Sequence, residues 1–78
     1  MKVLITGIAG LLGSRLADWI IENKPGITVL GIDDFSGGYI ENVNEEAVFY
    51  ELNLAAAETE LDTLFKKERP DVVYHFAA

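Results

Sequence analysis

The sequence predicts an α/β fold in which strands and helices alternate and the strands form a parallel sheet. Three observations carry this prediction. Four short apolar runs suit buried strands, segments of helical periodicity lie between them, and three glycines spaced three residues apart follow the first run directly. Together they predict one small domain over residues 1–78, truncated after the fourth strand, with the strands in the order 3-2-1-4.

The first strand and the first helix are predicted at Lys2–Thr6 and Leu11–Asn23. The strand is apolar and partly β-branched, which is typical of a strand buried on both faces. The helix ends before Pro25, which cannot continue it. Apolar residues recur along the helix at helical spacing, so four side chains are expected to pack inward. These are Leu12, Leu16, Trp19 and Ile20.

Between this strand and helix lies a glycine turn formed by Gly7, Gly10 and Gly13. The first turn of a helix has N–H groups without partners and a positive dipole end, so a phosphate can bind there if backbone approaches closely. Gly7 would make the tight turn, Gly10 would admit a pyrophosphate, and Gly13 would let helix and strand pack closely. The alternative is a glycine-rich turn without a ligand.

A second strand is predicted at residues 27–32, and Asp33 follows it twenty residues after Gly13. An acid at this distance from a glycine turn binds the ribose hydroxyls in dinucleotide sites. The alternative for Asp33 is a solvated acid in a turn. Its carboxylate would repel the extra phosphate of NADP, and no Lys or Arg in the following loop neutralises it, so NAD is favoured.

The second half of the chain repeats the alternation. A loop and an irregular segment with a short helical turn at 40–46 lead to a third strand at 47–52 and a helix that ends before Pro70. The fourth strand is predicted at 71–78. Leu61, Leu64 and Phe65 form the apolar face of the helix, and Phe65, like Trp19, is expected in the core.

In this strand order, four strand ends meet on one edge of the sheet. The first strand lies between the second and the fourth, where the winding reverses, and ligands bind outside the carboxyl ends of strands at such a point. Gly7, Asp33, Asn53 and Ala77 all lie at carboxyl ends. The sequence therefore predicts a crevice lined by these four residues.

Composition excludes several classes of function. Six basic and thirteen acidic residues give a net charge of −7, which argues against a nucleic-acid or anionic-membrane surface. The chain has no cysteine and no apolar run long enough to cross a bilayer, and a cytoplasmic protein is expected. Glu45 and Glu46 suit a solvated loop better than a metal site, and His75 suits a packed or hydrogen-bonded strand end.

Three motifs resemble the extended short-chain dehydrogenases/reductases, the NAD-dependent epimerase/dehydratase family. The stretch from Thr6 to Ser14 looks like the family's cofactor turn, 33–38 looks like its Asp-Asn-Leu-Ser-x-Gly stretch, and 74–78 looks like its His-Leu-Ala-Ala strand. The resemblance covers the whole chain in the family's order. It implies a Rossmann-type fold and NAD as the cofactor.

The resemblance also implies which residues hold the cofactor. The three glycines would hold the pyrophosphate, and Leu11 and Leu12 would lie beside the diphosphate and the nicotinamide side. Asp33 would bind the adenosine ribose, and Asp34 follows it in the same cofactor-binding stretch. Asn53, where many members have Asp, would flank adenine. The remaining implied contacts are Ser36 and Gly37 over the ribose, Leu54 at adenine, and Ala77 and Ala78 near the nicotinamide-side ribose.

Family members transfer hydride with a Tyr-x-x-x-Lys pair, which this sequence lacks. Val43, Leu54 and Ala78 stand four residues after the three tyrosines, so no catalytic residue is predicted. The chain is expected to be the cofactor-binding part of a nucleotide-sugar epimerase or dehydratase, a nucleotide-binding module without catalysis, or an unliganded scaffold. Its expected partners are a dinucleotide and either a missing C-terminal half or a second copy at the fourth strand's edge.

Overall fold

The computed structural model describes residues 1–55 and 58–77 of the chain. Its strands are β1 (Lys2–Thr6), β2 (Thr28–Asp33), β3 (Val48–Glu51) and β4 (Val72–His75). The helices are α1 (Leu11–Asn23) and α2 (Glu58–Glu68), with a 3-10 helix at Ile40–Asn42. The four strands form one parallel sheet in the order β3-β2-β1-β4, which confirms the predicted architecture.

Alternation of side chains along the strands builds two cores on opposite faces of the sheet. On one face, α1 covers the sheet, and the buried cluster comprises Val3, Ile5, Ile8, Ala17, Ile20 and Val29. On the other face, α2 contributes one buried side chain, and the cluster comprises Leu4, Leu30, Ile32 and Leu64. β1 and β2 supply half of the first cluster and three of the four residues of the second, because each has a neighbouring strand on both sides.

The predicted inward face of α1 is partly wrong. Leu12 is 65% exposed and Trp19 is 54% exposed, whereas Gly13, Ala17 and Ile20 are buried. The helix approaches the backbone of the glycine turn closely at Gly13, its small residues face inward, and its largest side chains face solvent.

The predicted core position of Phe65 is also wrong. Phe65 is 40% exposed, while the neighbouring Leu64 is buried and Leu61 packs against the same cluster. Residues 61 and 64 are three apart and share one helix face, and residue 65 lies at the edge of that face in this structure.

Candidate functional site

The glycine turn joins β1 to α1 at the carboxyl edge of the sheet. Gly7 has φ +75°, a left-handed conformation that favours glycine. A Cβ on Gly7 would lie 3.0 Å from the amide nitrogen of Ala77, so the turn also packs against the end of β4. The Gly7 N–H donates to the carbonyl of Ile32 at 2.8 Å, and the Gly10 N–H donates to the carbonyl of Gly7 at 3.0 Å. The first bond joins the turn to the end of β2, and the close contact with Ala77 joins it to the residues that follow β4.

The amino end of α1 opens toward the same edge. Gly10 is its N-cap and offers no side chain to the first turn, which contains no acidic residue. In the described ranges 1–55 and 58–77, no acceptor contacts the N–H groups of Leu11 and Leu12. Unpartnered N–H groups at the positive end of a helix dipole form a surface suited to an anion. The side chains of Leu11 and Leu12 flank it, 64% and 65% exposed.

Asp33 stands at the end of β2, and its carboxylate is hydrogen-bonded on both oxygens. Oδ2 accepts from the N–H of Ala9 at 2.8 Å, and Oδ1 accepts from the N–H of Phe35 at 2.8 Å. The first bond ties the acid directly to the glycine turn. A carboxylate accepts about four hydrogen bonds, so lone pairs remain for a ligand hydroxyl.

The loop after β2 folds back over this acid. Phe35 has φ +64°, and its ring packs 5.4 Å from that of Phe49 on β3. Asp34 Oδ1 accepts from the N–H of Ser36 at 2.9 Å, and that hydrogen bond lowers the pKa of Asp34. The loop after β2 therefore holds a second carboxylate, that of Asp34, next to Asp33 in the chain.

A cleft of about 320 Å³ connects these features. Nine of the residues predicted for the site line it, and they are Gly7, Gly10, Asp33, Asp34, Ser36, Gly37, Asn53, Leu54 and Ala77. Gly13 lies behind the turn, where a Cβ would meet the carbonyl oxygen of Gly7 at 2.3 Å. Leu11 and Leu12 do not line the cleft, and Ala78 lies outside the described residues. The lining also includes Ile32, Leu52 and Phe76, which the sequence analysis missed although they neighbour predicted positions.

Thr6 has a buried hydroxyl directly before the glycine turn and was not predicted as a site residue. Its Oγ1 lies 2.7 Å from Nδ1 of His75 and accepts from the N–H of Ala77 at 3.4 Å. The carbonyl of Thr6 accepts from the N–H of Phe76 at 3.1 Å. Thr6 thus fixes the end of β4 against the cleft. His75 is hydrogen-bonded at the strand end, as the sequence indicates.

In the described part of the chain, no cluster of three or more His, Asp or Glu side chains could hold a metal ion. No helix there is both long enough and apolar enough to cross a membrane.

Residues 3–78 match the model of the NAD dependent epimerase/dehydratase family. The chain belongs to this family. The resemblance seen in the three motifs is therefore confirmed, and the predicted cofactor agrees with the family's NAD dependence. The order of the strands and the position of the glycine turn are those expected of a Rossmann-type member.

Named relatives in this epimerase/dehydratase family share both sequence and fold. The chain is 36% identical to UDP-glucose 4-epimerase of Mycolicibacterium smegmatis, covering 100% of this chain and 25% of that protein. A UDP-glucose 4-epimerase of Thermotoga maritima, solved with UDP-glucose, has a TM-score of 0.90 at 41% identity and matches 100% of this chain and 24% of its own. The enzyme WbmH of Bordetella bronchiseptica, solved with NAD+, has a TM-score of 0.86 at 37% identity. The match covers 99% of this chain and 25% of WbmH. The chain spans about a quarter of their length.

Proposed function

We propose that this chain is the NAD-binding N-terminal portion of an epimerase or dehydratase that acts on a nucleotide sugar. The observation that carries the proposal is the 2.8 Å hydrogen bond from the Ala9 N–H to Asp33. It joins a ribose-binding acid to a phosphate-binding turn on one rim. The NAD+ complex of WbmH and the UDP-glucose complex of the Thermotoga maritima epimerase support both parts of the assignment.

The proposed pose runs across the cleft from β3 to β4. The pyrophosphate accepts hydrogen bonds from the unpartnered amides at the start of α1. The hydroxyls of the adenosine ribose donate hydrogen bonds to the carboxylate of Asp33. Adenine lies against Asn53, whose Oδ1 accepts from the N–H of Ala55 at 3.0 Å while its amide nitrogen remains a donor. The other contacts are Ser36 and Gly37 over the ribose, Leu54 at adenine, and Ala77 and Ala78 near the second ribose.

The charge of the cleft favours NAD over NADP. The described lining residues include two carboxylates, Asp33 and Asp34, and no Lys or Arg. A 2′-phosphate placed beside Asp33 would meet a like charge with nothing to neutralise it.

Calorimetric titration with NAD, NADP, ADP and AMP tests this assignment. We expect NAD to bind at least about tenfold more tightly than NADP, a difference of about 1.4 kcal/mol. Asp33→Asn keeps the shape of the side chain and one acceptor oxygen but removes its charge. It should therefore reduce the difference in affinity between NAD and NADP. Asp33→Ala also releases the N–H groups of Ala9 and Phe35, and it should weaken NAD binding further. Equal binding of NAD and NADP by the unaltered chain would refute the proposed selectivity.

Hydride transfer needs residues that this sequence does not supply. A tyrosine whose pKa is lowered by a nearby lysine is the family's acid–base group, and no Tyr-x-x-x-Lys occurs among the 78 residues. We propose that a longer protein carries the pair downstream, together with the sugar-binding part. Reading the gene past Ala78 decides this: a downstream pair supports an enzyme, and a stop codon there supports a nucleotide-binding module without catalysis.

We also propose a partner for β4 and a cellular setting. Within the described residues, β4 pairs with β1 alone, and its apolar side chains are exposed. The proposed partner is the following part of a longer chain, or a second copy of this chain if it acts alone. The cytoplasm is the proposed setting, because a chain without cysteine is compatible with a reducing compartment.

A further inference from the structure

The segment after β2 is tied to the glycine turn through one buried residue, Ala9. Besides the Ala9 N–H held by Asp33, the Ala9 carbonyl accepts two hydrogen bonds. One comes from the N–H of Tyr39 at 3.3 Å, and the other comes from Nδ2 of Asn42 at 2.9 Å. Asn42 is the last residue of the 3-10 helix, 33 positions along the chain from Ala9. A side chain from a distant segment therefore orients the turn.

The backbone of the segment after β2 also lies in close contact with the glycine turn, at Gly38. A Cβ on Gly38 would lie 2.2 Å from the carbonyl oxygen of Ala9 and 2.8 Å from the nitrogen of Gly10. Any side chain at this position would push the segment away, so the contact depends on glycine. The hydrogen bond from Asn42 thus belongs to a close backbone-to-backbone contact.

The orientation of the Ala9 carbonyl affects the donors at the start of α1. In a helix, an N–H bonds the carbonyl four residues earlier, so the Ala9 carbonyl is the acceptor that Gly13 would use if the helix extended backwards. Here that carbonyl is engaged by Asn42 and Tyr39. Over residues 1–55 and 58–77, no acceptor contacts the N–H of Gly13. The Gly13 N–H therefore stays available together with its neighbours.

We propose that Asn42 is a positioning residue for the dinucleotide site. By holding the Ala9 carbonyl away from α1, Asn42 keeps the first-turn amides open to the pyrophosphate. Without Asn42, the carbonyl can turn toward Gly13 and occupy one of these donors. The inference rests on the proposed function, since it names a residue that prepares the same site without touching the ligand.

Asn42→Ala and a matched variant, Asn44→Ala, test the proposal. Asn44 lies in the same segment, but its Nδ2 donates to Asp18 of α1 at 3.0 Å and its Oδ1 accepts from the N–H of Glu46 at 2.9 Å. We expect Asn42→Ala to weaken NAD and ADP binding about five- to tenfold, the effect of one lost hydrogen bond. Binding of adenosine, which has no phosphate, should be unchanged, and Asn44→Ala should alter none of the three affinities.

Amide hydrogen exchange without ligand provides a second readout. Asn42→Ala should speed exchange at the N–H groups of Ala9 and Gly10, while Leu4 in β1 keeps its protection and shows that the fold is intact. Asn44→Ala should leave all three rates unchanged. Unaltered exchange and NAD affinity in Asn42→Ala, or an equal loss for adenosine and NAD, would overturn the inference. If the unaltered chain fails to bind NAD, the proposed function falls, and the exchange rates still decide whether Asn42 holds the turn.

Discussion

Gly13 shows how a single hydrogen atom in place of a side chain determines the geometry of the site. A Cβ there would lie 2.3 Å from the carbonyl oxygen of Gly7 and 3.0 Å from the Cα of Ile8. Helix propensity favours Ala over Gly by about 1 kcal/mol, and overpacking costs about 1–3 kcal/mol. The atoms in the way are rigid backbone, so the clash outweighs the gain in propensity.

Gly13→Ala should therefore lower the free energy of unfolding by about 2 kcal/mol, the upper end of the overpacking cost less the gain in helix propensity, because α1 must move away from rigid backbone of the turn. NAD binding should weaken as well, since the same movement displaces the first-turn amides. Urea denaturation and calorimetric titration measure the two effects.

Gly26→Ala is the matched control for this substitution. A Cβ on Gly26 meets nothing within 4 Å, so the change should stay within about 0.5 kcal/mol and leave NAD affinity unchanged. A Gly13→Ala variant as stable as the original chain would contradict the close contact at the turn.

At the scale of elements, α2 is held to the sheet by a polar cluster as well as by Leu64. Glu68, in its last turn, accepts a short hydrogen bond from the hydroxyl of Tyr50 on β3 and forms an ion pair with Lys2 of β1 at 3.0 Å. The bond from Tyr50, followed by that from Lys2, lowers the pKa of Glu68. The same bond to Glu68 raises the pKa of Tyr50. One helix end is thus joined to two strands.

These shifts predict loss of stability on both sides of neutrality. The depressed pKa of Glu68 means that its contribution is complete above about pH 4.3 and disappears as the pH falls through the folded-state value. The raised pKa of Tyr50 means that its contribution is complete below about pH 10 and disappears as the pH rises through the folded-state value. Urea midpoints measured across the pH range give a curve of stability against pH. Its acid limb, where stability falls at low pH, reports Glu68, and its alkaline limb, where stability falls at high pH, reports Tyr50.

Glu68→Gln and Tyr50→Phe separate the two limbs. Glu68→Gln should lower stability at pH 7 and flatten the acid limb. Tyr50→Phe should remove the alkaline limb and, because the main cause of the Glu68 shift is lost, weaken the acid limb. The same acid limb in Glu68→Gln as in the unaltered chain would exclude Glu68 as its source.

At the scale of the whole molecule, β4 is the least covered part of the sheet. Val72, Val73, Tyr74 and Phe76 are between 36% and 45% exposed, although β4 pairs along its length with the buried β1. An apolar edge strand with unpaired backbone groups is a template for another strand. The chain as given should therefore associate with itself at high concentration.

Val73→Lys tests this association against Val48→Lys. Val48 lies on β3 at the opposite edge and is 42% exposed, so it receives the same charge in a similar environment. In light scattering at high concentration, the unaltered chain and Val48→Lys should both have the mass of an oligomer. Val73→Lys should have the mass of a monomer. A monomer at every concentration, or equal dissociation by both variants, would rule out pairing through β4.

Local patterns were enough to predict the elements and their order. β1 and α1 begin and end at the predicted residues, and the other strands differ from prediction at their ends. The inward face of α1 was mispredicted because periodicity locates an apolar stripe without saying how close the helix comes. Close approach at Gly13 turns the small residues inward and leaves Trp19 at the surface.

For this protein, the alternation of elements, the sheet order and the edge that carries the candidate site could be predicted from the amino-acid sequence. Those properties follow from side-chain periodicity, glycine and proline positions, and right-handed crossovers, all of which are readable along the chain. Two contacts are visible only in the folded chain: Asn42 donates to the Ala9 carbonyl, and Thr6 accepts from the N–H of Ala77 after β4. These contacts join residues 33 and 71 positions apart, and no local pattern encodes which distant polar groups meet once the sheet has formed.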